Sequence, residues 1–159
     1  MVRPCAVKEL GSRRYRCFFE LTLQVIGGKW KPIILYHLAL QGVQRFNELR
    51  RGIPEVTERM LTRQLRELAA DGLVLRTAYP QIPPRVEYSL TEEGASLIPI
   101  LLELRRWGEG YERARTGGKG LAPAAGETHE PTALPEVARM YRRFASAASG
   151  AAAPAGERQ

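Results

Sequence analysis

Thr57-Glu58-Arg59-Met60-Leu61-Thr62-Arg63-Gln64-Leu65-Arg66-Glu67-Leu68-Ala69-Ala70-Asp71-Gly72 runs into Leu73-Val74-Leu75-Arg76-Thr77-Ala78-Tyr79, then Pro80-Gln81-Ile82-Pro83-Pro84, then Arg85-Val86-Glu87-Tyr88-Ser89-Leu90. The first part has helical periodicity. With Leu61 at 0° and about 100° per residue, Leu65 and Leu68 fall within about 40° of it and form one buried stripe. Thr57 is a good N-cap, and Glu58 in the first turn suits the helix dipole. Asp71-Gly72 ends the helix with the residue type that a left-handed turn favours. After Gly72 the period changes. Leu73 to Tyr79 is rich in strand formers, and Val86 to Leu90 alternates apolar with polar. The proline-rich stretch between them cannot ladder, so it is an extended loop joining two antiparallel strands.

Upstream, Phe18 to Ile26 reads as a short helix stopped by Gly27-Gly28. The next helix carries Pro32 in its first turn, where proline is tolerated, and presents Ile34, Leu35 and Leu38. Phe46, Leu49 and their basic neighbours suit a third helix ending near Gly52, with Pro54 in the following turn. Downstream, Thr91 caps a final helix running to about Arg115. Its apolar residues Leu97, Ile98, Leu101, Leu102, Leu104, Trp107 and Tyr111 cover more than one face, as on a helix that also packs against a second subunit. Four helices, a hairpin and a helix make a mostly α fold with a small β-hairpin wing (α+β): a winged helix-turn-helix.

Opposite the leucine stripe, Arg59, Arg63 and Arg66 fall at about 160°, 200° and 140°, with Thr62 at about 100°. A helix fits the major groove of B-DNA, where arginine reads guanine and threonine meets a base edge or a thymine methyl. A solvated helix face carries arginines routinely as well; the short basic helix before and the hairpin after are what favour DNA. Arg45, Arg50 and Arg51 on the preceding helix, with Lys29 and Lys31 at a helix start, are candidates for the phosphate backbone. Arg85, at the end of the proline loop, is the candidate wing-tip residue for a neighbouring minor groove. Each of these also reads as an ordinary exposed charge.

Composition agrees with a nucleic-acid partner without requiring one. The 159 residues hold 24 basic and 17 acidic side chains, a net charge of +7. Most of that excess lies before residue 116. The chain divides into a basic N-terminal arm over 1–16, with Arg13, Arg14 and Arg16 clustered, a periodic domain over 17–115, and an Ala/Gly/Pro-rich tail over 116–159. The tail is expected to be largely disordered, with a short helix at 136–148, because such a composition buries too little apolar surface to offset its ordering entropy. No apolar run is long enough to span a membrane, and residues 1–6 lack the apolar core of a secretory signal. The expected compartment is the cytoplasm, with no membrane partner.

The two cysteines, Cys5 and Cys17, cannot form a disulfide scaffold. With His37 and His129 they have no zinc-finger spacing, so neither metal nor cofactor is expected. His37, inside an apolar helix, reads as a core or interface histidine. Gly28-Lys29 is no P-loop, because Leu23 and Trp30 stand where Gly and Ser/Thr are required. No nucleophile elbow occurs, and Glu92-Glu93 is a helix start. Enzyme activity is not expected. Cys17 opens a helix after Arg13, Arg14 and Arg16, a setting that favours thiolate, so it is the redox-sensing candidate; it also reads as a small buried interface residue.

The motifs are also familiar together. Cys17 followed by Ile26-Gly27-Gly28-Lys29-Trp30-Lys31, then Arg45-Phe46-Asn47-Glu48-Leu49, Leu61 to Leu68, Asp71-Gly72-Leu73-Val74 and Tyr79 to Thr91 resemble, in order, the signature of HxlR-type helix-turn-helix regulators. That resemblance implies a dimeric winged-helix transcription factor, a distant relative of the MarR type, that binds inverted repeats in double-stranded DNA near promoters, with repression as the expected outcome. It implies that Thr57 to Ala70 is the recognition helix, that Pro80 to Arg85 is the wing tip, and that the first and last helices form the homodimer. It also marks Cys17 as a site for oxidants or electrophiles, although Phe18 replaces the proline common after that cysteine. A small-molecule effector in the crevice between dimerisation helices and DNA-binding domain is a further expectation. The tail has no counterpart in the family core. The alternative from a different class is a winged-helix protein–protein interaction module without specific DNA binding.

Overall fold

A computed structural model describes residues 6–117. Cys5, His129 and the expected tail helix at 136–148 lie outside the described residues. The chain opens with a hairpin, β1 (Lys8–Leu10) and β2 (Arg13–Tyr15), turned at Gly11 with φ of 57°. Two helices follow, α1 (Phe18–Ile26) and α2 (Trp30–Gln41), then a two-residue strand β3 (Gln44–Arg45) leading into α3 (Phe46–Gly52). The long amphipathic helix α4 (Glu58–Ala70) precedes the wing strands β4 (Val74–Tyr79) and β5 (Arg85–Leu90), and α5 (Glu92–Ser96) and α6 (Ile98–Thr116) complete the described chain.

The core follows the periodicity. Ile34, Leu35 and Leu38 of α2, Leu49 of α3 and Leu61, Leu65 and Leu68 of α4 are fully buried. Each contributes about 1.5–3 kcal/mol by leaving water. Leu73, Val74 and Leu101 extend the same cluster to the wing base and α6. Thr57 caps α4 by accepting from the Met60 amide at 3.2 Å, and Gly72, at φ 73°, turns the chain into β4. β5 lies between β3 and β4 in an antiparallel sheet, with Tyr88 opposite both Gln44 and Arg76, and Tyr79 opposite Arg85.

Three features differ from the expectation. The last helix is two helices, α5 and α6, broken at Leu97. Pro99 is the reason: it has no amide hydrogen, and its ring would clash with a carbonyl one turn earlier in a continuous helix. The N-terminal segment is not merely a basic arm. Residues 8–15 pair in register Lys8 with Tyr15 and Leu10 with Arg13, and Arg13 binds Asp71 at the end of α4 at 2.5 Å. Strand β3 has no sequence signature, since two residues are too few for a period to show.

Candidate nucleic-acid interface

Burying three leucines of α4 fixes what its other face presents. Arg59, Arg63 and Arg66 are exposed, Thr62 is half-buried, and the four lie on the side away from the core. Thr57 sits at the same end, with its hydroxyl oxygen already accepting from Met60. Arg63 Nε donates to Glu67 Oε1 at 2.8 Å, one turn on. No ion pair is formed by Arg59 or Arg66 among the described residues. Their charge is therefore directed outward.

Helix α3 stands beside this face. Its N-terminus is closed by the Glu48 carboxylate, which accepts from the Arg45 amide at 2.6 Å. An open cleft of about 790 Å³ is lined by Asn47, Arg50, Arg51 and Pro54. Arg51 Nε donates to the Asn47 carbonyl at 3.3 Å, and Arg50 pairs with Glu58 in the first turn of α4. The cleft thus joins α3 to the start of α4 and has two guanidinium groups on its wall. Asn47 was not among the expected site residues; its position three before Arg50 puts it on the same side of α3. Arg45 lies 3.9 Å from Glu87 of β5. Lys29 is exposed, 3.1 Å from Glu55 and over the Trp30 ring at 4.5 Å.

Lys31 overturns the expectation of a phosphate contact. It is only 6% exposed, its Nζ donates to the Val25 carbonyl at 3.1 Å, and it lies 3.1 Å from Glu67 and 4.0 Å from Asp71. A buried ammonium held by an acid and a carbonyl cannot reach a phosphate without losing them. Neither those partners nor Arg13 was legible. Arg13 and Asp71 are 58 residues apart, and no local pattern announces such a pair.

Arg85 differs in a similar way. It begins β5 at the base of the loop, donates to Glu87 through Nε at 2.7 Å and through a second nitrogen, and lies over the Tyr79 ring at 5.1 Å. The Arg85 hydrogen bonds hold the Glu87 carboxyl below the usual carboxylate range. Within the loop itself, Ile82 is fully exposed.

Cys17 is exposed and caps α1, its Sγ accepting from the Glu20 amide at 3.4 Å. Two of the three neighbouring arginines are engaged elsewhere, Arg13 with Asp71 and Arg14 with Glu9. His37 is half-buried against Gly52, and that burial lowers its pKa from 6.5. No group of three metal-ligating side chains occurs among the described residues, and none of their helices is long and apolar enough to cross a membrane.

The profile of the HxlR-like helix-turn-helix family matches residues 25–116. The uncharacterized HTH-type transcriptional regulator YybR of Bacillus subtilis is 56% identical over 102 residues, covering 64% of this chain and 81% of that protein. The solved structure of the redox regulator HypR in its reduced form is 54% identical with a TM-score of 0.59, covering 64% of this chain and 99% of that one. HypR in its oxidised form is 60% identical with a TM-score of 0.56, covering 59% of this chain and 96% of that one. The family match runs from the end of α1 through α6 and so takes in α4 and the wing, and the chain belongs to the HxlR-like helix-turn-helix family of transcriptional regulators.

Proposed function

We propose that this regulator binds an inverted repeat in double-stranded DNA as a homodimer, reads it with α4, and represses by occupying the promoter. The observation that carries this is the outer face of α4: Arg59, Thr62, Arg63 and Arg66 project opposite three fully buried leucines. That face is the size of a major-groove reader, and arginine pairs bidentately with guanine. Arg50, Arg51 and Lys29 supply the sequence-independent phosphate contacts, with Arg45 beside them.

The dimer rests on exposed apolar side chains at both ends of the fold. Phe18, Phe19 and Leu23 stand out from α1, and Leu104, Trp107 and Tyr111 from α6. Such rows on a small domain are covered by a partner. A second copy also gives the two half-site readers that an inverted repeat requires.

Cys17 is proposed as the site through which an oxidant or electrophile changes operator affinity. It is exposed at a helix N-terminus beside the α1 apolar patch, and HypR, a redox regulator, is a similar fold solved in reduced and oxidised forms.

Selection from randomised DNA by the purified full chain, at about 0.15 M salt where non-specific binding is partly screened, tests the function. An enriched inverted repeat is the expected result. A pool with no enriched sequence would overturn sequence-specific binding and favour the protein–protein module.

A further inference from the structure

We infer that the wing touches DNA through an apolar contact, with Ile82 entering the minor groove that flanks the site of α4. This rests on the proposed DNA-binding function and names a specificity-determining residue within it. The loop that joins the two wing strands, Pro80-Gln81-Ile82-Pro83-Pro84, has no charged side chain. The cation at its base, Arg85, is turned back onto Glu87 and the Tyr79 ring. Three prolines lack amide hydrogens, and the Gln81 amide already donates to the Tyr79 carbonyl at 2.9 Å. With no cation and few free amides, the loop has only the Gln81 carboxamide to offer a phosphate.

What it offers is one branched aliphatic side chain with no contact in its own domain: Ile82 is 101% exposed. A bare isoleucine at a loop tip does nothing for folding. The prolines restrict the backbone around it, so little freedom is lost when it docks. Its reach is suitable as well. Strand β4 leaves the end of α4 and runs six residues, about 20 Å at roughly 3.3 Å per residue. The adjacent minor groove lies half a helical turn, about 17 Å, from the major groove that α4 would occupy. Minor-groove walls are sugar edges, and aliphatic side chains enter that groove and wedge between base steps, most easily at flexible pyrimidine–purine steps. Ile82 thus selects the flank by deformability, whereas α4 selects the half-site by hydrogen bonding.

The test uses full-length Ile82→Ala and the duplex that the wild-type chain recovers from randomised DNA, with affinity measured across a salt series. Losing the buried aliphatic contact weakens binding about tenfold. The log–log salt slope stays unchanged, because no phosphate was neutralised, and preference at the flanking step flattens. The variant melts like the wild type, since the side chain touches nothing. Unchanged affinity and flank preference in Ile82→Ala would overturn the role of Ile82 alone. A loss accompanied by a slope shallower by about one would assign the wing to phosphate neutralisation and overturn the apolar contact. If the wild-type chain recovers no sequence at all, the DNA-binding function itself fails, and Ile82 with it.

Discussion

Arg63 and Lys31 meet on opposite oxygens of one carboxylate: Arg63 Nε lies 2.8 Å from Glu67 Oε1, and Lys31 Nζ lies 3.1 Å from Glu67 Oε2. One cation belongs to the outer face of α4 and the other is buried. Lys31 also lies 4.0 Å from Asp71, which binds Arg13. A row of alternating charges, Arg13, Asp71, Lys31, Glu67 and Arg63, therefore ties the N-terminal hairpin to the helix proposed to read DNA.

Lys31→Met tests whether that lysine is a strut or a DNA contact. The variant leaves both acids paired, Glu67 with Arg63 and Asp71 with Arg13. Replacing a buried ion by an apolar residue of similar length is often close to neutral, so stability should change by no more than about 1 kcal/mol in urea unfolding. The salt slope of DNA binding should be unchanged, whereas loss of a phosphate contact would lower it by about one. Glu67→Gln is the contrasting change. It leaves a buried ammonium without its nearest anion and should cost about 1–3 kcal/mol.

Arg63→Ala should lower discrimination at one base pair of each half-site by about 1–3 kcal/mol, as expected for a bidentate guanine contact. Arg66→Ala should do the same at a neighbouring position. Binding to competitor sequences separates the two, and an unaltered site preference would remove the residue from the reading face. Glu67 adds a pH signature. The Arg63 hydrogen bond, then Lys31, holds its carboxyl below the ordinary value of 4.5. That contribution to stability is present above the unfolded value and is lost as pH falls through the lower folded one.

How much was legible depended on whether a residue acts through a local period. The α4 stripe, its Thr57 cap and the strands either side of the proline loop are local, and the structure has them where the sequence does. A lysine at a helix start reads as exposed from sequence, and the partners that bury Lys31, Glu67 and Asp71, come from within and just after another helix. Arg13 was lost for the same reason. Sequence position alone puts Arg85 at the wing tip; in the fold it begins β5 and is held at the base of the loop by the carboxylate of Glu87 and the ring of Tyr79. Pro99 was in plain view, but the apolar run across it concealed the break.

His37 and Gly52 form a second checkable pair. A Cβ at Gly52 would lie 2.2 Å from Cε1 of the His37 ring. Gly52→Ala should therefore force the half-buried His37 ring out of its place and cost about 1–3 kcal/mol, part of which a smaller residue at 37 restores. Burial lowers the His37 pKa from 6.5, so the unfolded chain binds the proton first as pH falls. Stability is present above about 6.5 and declines as pH drops through the folded value. Melting curves across that range should show the decline, and His37→Gln should remove this component.

Cys17→Ser separates sensing from folding. Serine is a stronger helix cap than cysteine and accepts from the Glu20 amide in the same way, so α1 should be retained or firmer. Oxidant treatment should then leave operator affinity of the variant unchanged while altering that of the wild type. A full response in Cys17→Ser would end the proposed role of Cys17.

Trp107→Glu bears on the assembly that an inverted repeat demands. The Trp107 ring is 68% exposed and stacks on Tyr111 at 5.1 Å, with Arg115 over the other ring at 3.4 Å. An aromatic so exposed midway along α6 has no core to fill, and a carboxylate there would be unpaired in a covered interface. Sedimentation should show a dimer for the wild type and a monomer for Trp107→Glu, with the helical content of the domain retained and its melting point no longer dependent on concentration. The monomer keeps one intact α4, so it should retain half-site contacts while losing about a hundredfold or more on the full repeat, because the second half-site no longer binds at the high effective concentration of a linked pair. Equal affinity of monomer and wild type for the full repeat would place the dimer elsewhere on the fold.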